Sequence, residues 1–322
     1  MHTAPDTTLI EKPPIVIVAG PTASGKTELA LRLAEQSNAE IVNADSMQVY
    51  RGLDIGTAKP SPEELGRVPH HLIDIAEPDC NFSASDFRLA AEEAIRDITG
   101  RGKNVIVVGG TGLYIRALLQ GLVDSPRGKV EIRQSLAEQS QREGKEAMLA
   151  RLMQVDPVTA LRLHPNDQVR IIRALEVYYE TGRPISAFRD DHGFGGDYYR
   201  SLKIGIHVDR AELYERIDRR VDTMMELGLL QEVEKLLHAG YRPDLKSMRS
   251  IGYRQVCSLL GGEYTYDEAV SLIKRDTRRY AKRQLTWFRT DPEIKWVEYP
   301  GNFDSICTNV IEFFLSKGEE YA

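Results

Sequence analysis

Cysteine and tryptophan are scarce in this sequence, with three of the first and two of the second among 322 residues. Cys80, Cys257 and Cys307 stand far apart and match no zinc-ligand spacing. That excludes a zinc-finger-type site and a disulfide framework, and it points to a reducing, cytoplasmic setting. No apolar run approaches the ~20 residues that span a bilayer, so no membrane partner is expected. The N-terminal MHTAPDTTLIEKPP has neither an apolar stretch nor a basic amphipathic pattern, and residues 1–13 read as a disordered tail rather than a targeting signal. Positive charge is not in excess either: 42 Lys and Arg face 48 Asp and Glu, for a net charge of −6. This excludes indiscriminate nucleic-acid binding. It leaves room for a local basic cluster, because screening confines each cluster's reach to about 8–10 Å. Internal repeats and low-complexity segments are also lacking.

What is present is an ordinary soluble composition, 42% hydrophobic and 28% charged, on a chain long enough for one large domain with an addition, or for two. Residues 15–19 (IVIVA) form a β-branched run, followed by GPTASGKT and the helical pattern TELALRLAEQ. EIVNAD at 40–45 and NVIVVGG at 104–110 repeat the logic of a near-continuous apolar strand that ends in small or polar residues. Such alternation indicates an α/β fold with a parallel sheet covered on both faces, whose ligands bind beyond the carboxyl ends of the strands. From about Gly121 the character changes. Residues 129–182 show helix patterns and no strand. The clearest is NDQVRIIRALEVYYETG, with Asn166 or Asp167 as cap, Val169, Ile172, Leu175 and Tyr179 on one apolar face, and Gly182 as stop. DDHGFGGDYY reads as a flexible joint before the returning strand SLKIGIHV. The boundaries expected are a core of 14–122 and 196–322, and a helical insert of 123–195.

The pattern Gly20-x-x-x-x-Gly25-Lys26-Thr27 is a phosphate loop. Glycines let backbone N–H groups converge on phosphate oxygens, and the helix N-terminus adds positive potential. Lys26 supplies a full charge, and the Thr27 hydroxyl is placed to ligate Mg²⁺. The alternative is a plain strand-to-helix turn. A nucleotide hydrolase needs an acidic residue at the end of a second strand to help hold the magnesium, whereas NVIVVGGTG ends in glycines and Thr111. EIVNAD does end in Asp45, which could be a helix cap or a kinase-type magnesium ligand. From these residues alone, the phosphate is secure and the transferred group is open.

Taken together, GPTASGKT, NADSMQVYRGLDIGTAKP, PHHLIDI, VVGGTGLYIRALLQG, HPND…RALE, RSIGYRQ and AKRQLTWFR resemble the bacterial tRNA dimethylallyltransferase family, from about residue 14 to about residue 297. The resemblance implies a P-loop kinase-like parallel sheet core with an inserted all-helical domain and a helical C-terminal region. It implies transfer of a dimethylallyl group from dimethylallyl diphosphate to the exocyclic amine of adenosine 37 in the tRNA anticodon stem-loop. By motif, Gly20, Pro21, Thr22, Ala23, Ser24, Gly25, Lys26 and Thr27 should cradle the donor diphosphate with Mg²⁺. Asp45 should be the general base, with Thr111 at the channel and Arg220 on the diphosphate. Asp45, Ser46, Met47, Gln48, Thr111, Arg133, Arg170, Arg173, Arg249, Arg254, Lys282, Arg283 and Arg289 should contact tRNA. One departure is Val169, where the family often has a glutamine; valine cannot hydrogen-bond a base or phosphate. The chain is expected to act as a monomer.

The residues make chemical sense of that transfer. An allylic displacement needs a stabilised leaving group, an aligned amine and little water, and Lys26, Arg220, loop amides and Asp45 answer the first two needs. In LIKRDTRRYAKRQLTWFR the pairs Lys274/Arg275, Arg278/Arg279 and Lys282/Arg283 recur every four residues, one side of a helix, with Ile273, Tyr280 and Leu285 towards the core. The stripe is either a solvated face or a phosphate-backbone surface. Trp287 and Phe288 read as packing. His70 and His71 read as loop residues without metal partners. The rivals are an adenylate isopentenyltransferase acting on free AMP or ATP, and a P-loop small-molecule kinase.

Overall fold

A computed structural model describes residues 12–122, 128–192 and 198–316. Residues 1–11 of the tail expected over 1–13, and the glycines of the expected joint (193–197), lie outside the described residues. The chain forms two compact units, Met1–Leu119 with Tyr198–Ala322, and Gln120–Asp197.

The first unit is built on six parallel strands among the described residues: β1 (Pro14–Ala19), β2 (Ala39–Asn43), β3 (His70–His71), β4 (Asn104–Gly109), β5 (Arg200–His207) and β6 (Lys295–Glu298), in the order β3-β2-β4-β1-β5-β6. β1 lies between β4 and β5, with Ile15 opposite Val105 and Val16 opposite Leu202. Because strand side chains alternate, Ile15 and Ile17 enter one core and Val16 and Val18 the other. Helices α1 (Lys26–Gln36), α2 (Pro62–Arg67), α3 (Ala84–Gly100) and α4 (Gly112–Gln120) follow the first four strands or connect them. α3 and α4 cover the Ile15 face, while α1 covers the Val16 face. His70 and His71 are strand residues and not loop residues, because both pair with β2.

On β2, Glu40 is only 4% exposed and is held by Arg101 at 2.5 and 2.8 Å and by His71 at 2.7 Å. The Arg101 hydrogen bonds, helped by His71 and opposed by burial, hold the Glu40 carboxyl down to about 2 from 4.5. A depressed carboxylate stabilises the fold fully above its unfolded pKa and loses that contribution as pH falls through its folded pKa. Urea midpoints should therefore drop as pH falls from 4.5 towards 2, and Glu40→Gln should flatten that part of the profile. An unchanged slope in the variant would remove Glu40 from the acid sensitivity.

The second unit contains α5 (Val130–Glu143), α6 (Lys145–Val155), α7 (Pro157–Ala160), α8 (Gln168–Thr181) and α9 (Ile185–His192), and no strand among its described residues. Its core joins Leu136, Met148, Leu152, Ile171, Ala174 and Leu175. This corrects the face expected for α8: Val169 is 85% and Tyr179 48% exposed, while Ile171, Ala174, Leu175 and Val177 are buried. The reason is packing: Ile171, Ala174 and Leu175 meet Leu136 of α5 and Met148 and Leu152 of α6, while Glu176 is buried on another side of the helix. Arg133 at 2.9 Å and Arg173 at 2.9 Å neutralise it, as a buried carboxylate requires. Asp167 is the α8 N-cap but makes no side-chain cap bond, and Gly182 closes the helix in the left-handed conformation at φ 70°.

Returning to the first unit, β5 leads into α10 (Arg210–Glu226), α11 (Leu229–His238), α12 (Tyr253–Leu260) and α13 (Tyr266–Phe288), before β6 and α14 (Phe303–Leu315), which joins α1 on the Val16 face. α10 to α13 and the segment after β2 share a third core around Tyr50, Leu53, Val233 and Tyr253. No helix among the described residues is long and apolar enough to cross a membrane. Cys80, Cys257 and Cys307 are all free thiols.

Candidate active site

β1 delivers the chain to the loop Gly20–Thr27 at the carboxyl edge of the sheet, and Gly25 caps α1 at φ 92°, a conformation that favours glycine. The Lys26 ammonium rests on the Pro21 carbonyl at 3.4 Å. Burial lowers its pKa to about 8, Arg220 pushes the same way, and Asp45 opposes both. Burial also lowers the Arg220 pKa, again against Asp45. Two cations and one carboxylate thus feel one another in a poorly hydrated space.

Asp45 follows β2. Its Oδ1 accepts the Met47 N–H at 2.8 Å, closing a tight turn that leaves the other oxygen outside this bond. The Ser46 N–H donates to Thr111 Oγ1 at 3.1 Å. Thr111, at the exit of β4, therefore steadies the turn that carries Asp45. Gln48 donates to the Thr57 and Ala58 carbonyls at 3.0 and 3.1 Å, which fixes its amide and orders the GTAK segment beside it.

Lys26, Arg220, Asp45, Ser46 and Gln48 meet at a cavity of about 350 Å³, which Thr111 braces from behind Ser46 without lining it. Of the residues expected at the site, Thr22, Lys26, Thr27, Asp45, Ser46, Met47, Gln48, Arg220, Arg249 and Arg283 line it. Gly20, Pro21, Ala23, Ser24 and Gly25 shape the loop. Lys282 and Arg289 are exposed on α13 and at its end, and Arg254 is paired with Asp276 at 2.5 Å. In the second unit, Arg133 and Arg173 serve Glu176, and Arg170 is exposed beside Val169. The first two of the three basic pairs are consumed within the fold: Lys274 and Arg278 pair with Asp222 and Asp218 of α10, and Arg275 and Arg279 with Asp276. Ile273 is buried, while Tyr280 and Leu285 are half-buried. Phe288 is buried, and Trp287, 38% exposed, lies against Gly112.

The cavity also contains residues that motif reading passed over. His70 donates from Nδ1 to the Val68 carbonyl at 2.7 Å, which leaves Nε2 buried without a protein partner. Burial lowers its pKa, so the ring is neutral and Nε2 is an acceptor. Asn43 Nδ2 is likewise buried and unpaired, and both side chains line the cavity. Tyr280 and Gln284 complete the α13 wall. The paired histidines of PHHLIDI, and the i, i+4 spacing of Tyr280 and Gln284 opposite the basic side, were the only sequence signals for them.

The donor set suits a hard cation. The Thr27 hydroxyl and the Asp45 carboxylate offer oxygen, and Asn43 and His70 leave buried polar atoms open to bound water. No group of three or more His, Cys, Asp or Glu among the described residues could cage a metal. A cation here must complete its shell with substrate oxygens and water, the usual habit of Mg²⁺ at phosphate sites.

The IPP transferase family model matches residues 48–291. A tRNA dimethylallyltransferase 2 of Geotalea uraniireducens is 67% identical over 304 residues, 94% of this chain and 98% of that protein. A tRNA dimethylallyltransferase of Geobacter metallireducens is 62% identical, over 94% and 98% of the two chains. The crystal structure of a tRNA isopentenylpyrophosphate transferase from Bacillus halodurans superposes with a TM-score of 0.70 at 40% identity, covering 94% of this chain and 97% of that one. A eukaryotic dimethylallyltransferase acting on tRNA superposes at 0.76 and 29% identity, covering 89% of this chain and 74% of that one.

Proposed function

Because the chain belongs to the IPP transferase family, we propose that its cavity is a prenyl-transfer site. The loop Gly20–Thr27 holds dimethylallyl diphosphate there, and Asp45 receives the exocyclic amine of the adenosine at tRNA position 37. The enzyme is a prenyltransferase that modifies tRNA. The observation that carries the site reading is the meeting of Lys26, Arg220 and Asp45 at one cavity, with both cations penalised by burial. Such a pair of poorly solvated cations favours a ligand that gains negative charge as it reacts.

The bond between the allylic carbon and the diphosphate oxygen breaks, and the electron pair leaves with the diphosphate towards Lys26, Arg220 and the loop amides. A bond forms between that carbon and the adenine amine, whose proton passes to Asp45. The amine is a weak nucleophile because its lone pair is delocalised into the ring, so alignment by the carboxylate matters as much as proton removal. Thr111 holds the Asp45 turn through Ser46. The Thr27 hydroxyl would hold a Mg²⁺ ion, which would supply charge neutralisation on the leaving group. Reaching an anticodon-loop base requires extrusion, which is least costly where the strand is unpaired.

Labelled dimethylallyl diphosphate, offered separately with an anticodon stem-loop and with AMP, tests this reading. Label is expected on the stem-loop alone. Label on AMP alone would establish an adenylate transferase instead, and ATP-dependent phosphorylation of a small acceptor would establish a kinase.

A further inference from the structure

Gln284 sits among the exposed basic residues Lys282, Arg283 and Arg289, yet it is only 6% exposed itself. The two ends of its amide are held by two loops far apart in sequence. Oε1 accepts the Thr22 N–H of the phosphate loop at 2.9 Å, and Nε2 donates to the Gly110 carbonyl at the exit of β4 at 2.9 Å. The approach is close: a side chain at Gly110 would put its Cβ 2.2 Å from Gln284 Nε2. One turn earlier on α13, Tyr280 lines the same cavity, and burial, reinforced by Asp45, pushes its phenol up to about 12. Thr111 in turn accepts the Ser46 N–H beside Asp45. A path of hydrogen bonds joined by the Gly110–Thr111 peptide therefore runs from the loop that would hold the donor, through Gln284, to the turn that carries the base.

We propose that Gln284 is a positioning residue for the donor site, setting the phosphate loop against the Asp45 turn, and that it takes no part in gripping tRNA. The inference rests on the prenyl-transfer reading above. Its physical basis is that only a primary amide of this length offers an acceptor to one backbone and a donor to the other in a single plane. The leaving group and the base act on opposite sides of one carbon, so their separation must be held closely.

The test uses the full chain, with Gln284→Leu and Gln284→Glu compared with Lys282→Ala and Arg289→Ala. Transfer kinetics are measured with dimethylallyl diphosphate at saturating stem-loop, and stem-loop Kd by fluorescence anisotropy. Gln284→Leu should raise the donor KM about tenfold and lower kcat by roughly 10²-fold, while stem-loop Kd stays within about twofold. Gln284→Glu keeps the acceptor for Thr22 and loses the donor to Gly110, so it should fall between wild type and Gln284→Leu. The two basic variants should show the reverse split, weaker stem-loop binding with donor KM intact. Stem-loop binding lost from Gln284→Leu with donor kinetics intact, or no change at all, would overturn the proposal. Should that variant not fold by thermal melting, Gln284→Glu decides by the same criteria. Wild-type enzyme that transfers no label would instead overturn the prenyl-transfer reading itself.

Discussion

Replacing Asp45 with asparagine should lower kcat by roughly 10²–10⁴-fold, the usual contribution of a positioned base, while stem-loop Kd and donor KM change little. The substitution is chosen because the fold should not notice it. Asparagine retains an acceptor oxygen for the Met47 N–H, the 2.8 Å bond that closes the turn. The Ser46 N–H still reaches Thr111. What disappears is the charge that pulls the amine proton and that opposes the lowering of the Lys26 and Arg220 pKa values. Single-turnover transfer, with stem-loop affinity measured in parallel, separates the two effects. If affinity collapsed while turnover per bound complex survived, Asp45 would be a tRNA contact and the proton would have to go elsewhere.

The parts of the molecule most legible in the sequence are those fixed by local chemistry. The apolar β1 and β4, Gly25 at the head of α1 and Gly182 at the end of α8 each carry a signal that needs no distant partner. The candidate site is legible where one segment holds its own chemistry, as in Gly20–Thr27 and Asp45-Ser46-Met47-Gln48, parts of which line one cavity. It was illegible where the chemistry is shared across the fold. Gln284 reads as one polar residue in a basic helix until Thr22 and Gly110 are placed on either side of its amide. The basic stripe reads as one surface until Asp218 and Asp222 of α10 claim Arg278 and Lys274. The buried face of α8 is turned away from Val169 and Tyr179 because Ile171, Ala174 and Leu175 pack on α5 and α6, partners that the periodicity of one helix does not show. His70 needed strand pairing to reveal which ring nitrogen is left over.

Lys26→Met should lower kcat/KM for dimethylallyl diphosphate by roughly 10²–10³-fold, the scale lost with one preorganised donor to a developing anion, and it should change the shape of the pH profile. In the wild type, burial and Arg220 bring the Lys26 pKa from 10.5 to about 8. The free enzyme therefore loses this ammonium as pH rises through about 8, and kcat/KM should bend downward there. Under saturating donor the diphosphate's negative charge holds the proton on, so kcat should not bend at the same pH. In Lys26→Met the bend in kcat/KM disappears. Its persistence would assign it to another group. Stability should move the opposite way. Between about 8 and 10.5 the unfolded chain binds a proton that the folded one has released, so wild-type denaturation midpoints should rise with pH through that window. Methionine fills similar space without a charge to desolvate, so the unliganded variant should be the more stable protein at neutral pH and lack the rise. A variant that is both sturdier and slower is the expected mark of a lysine kept poorly solvated for the sake of its ligand. A Lys26→Met protein that was less stable than wild type would show instead that the ammonium, through its 3.4 Å contact with the Pro21 carbonyl, holds the loop in shape.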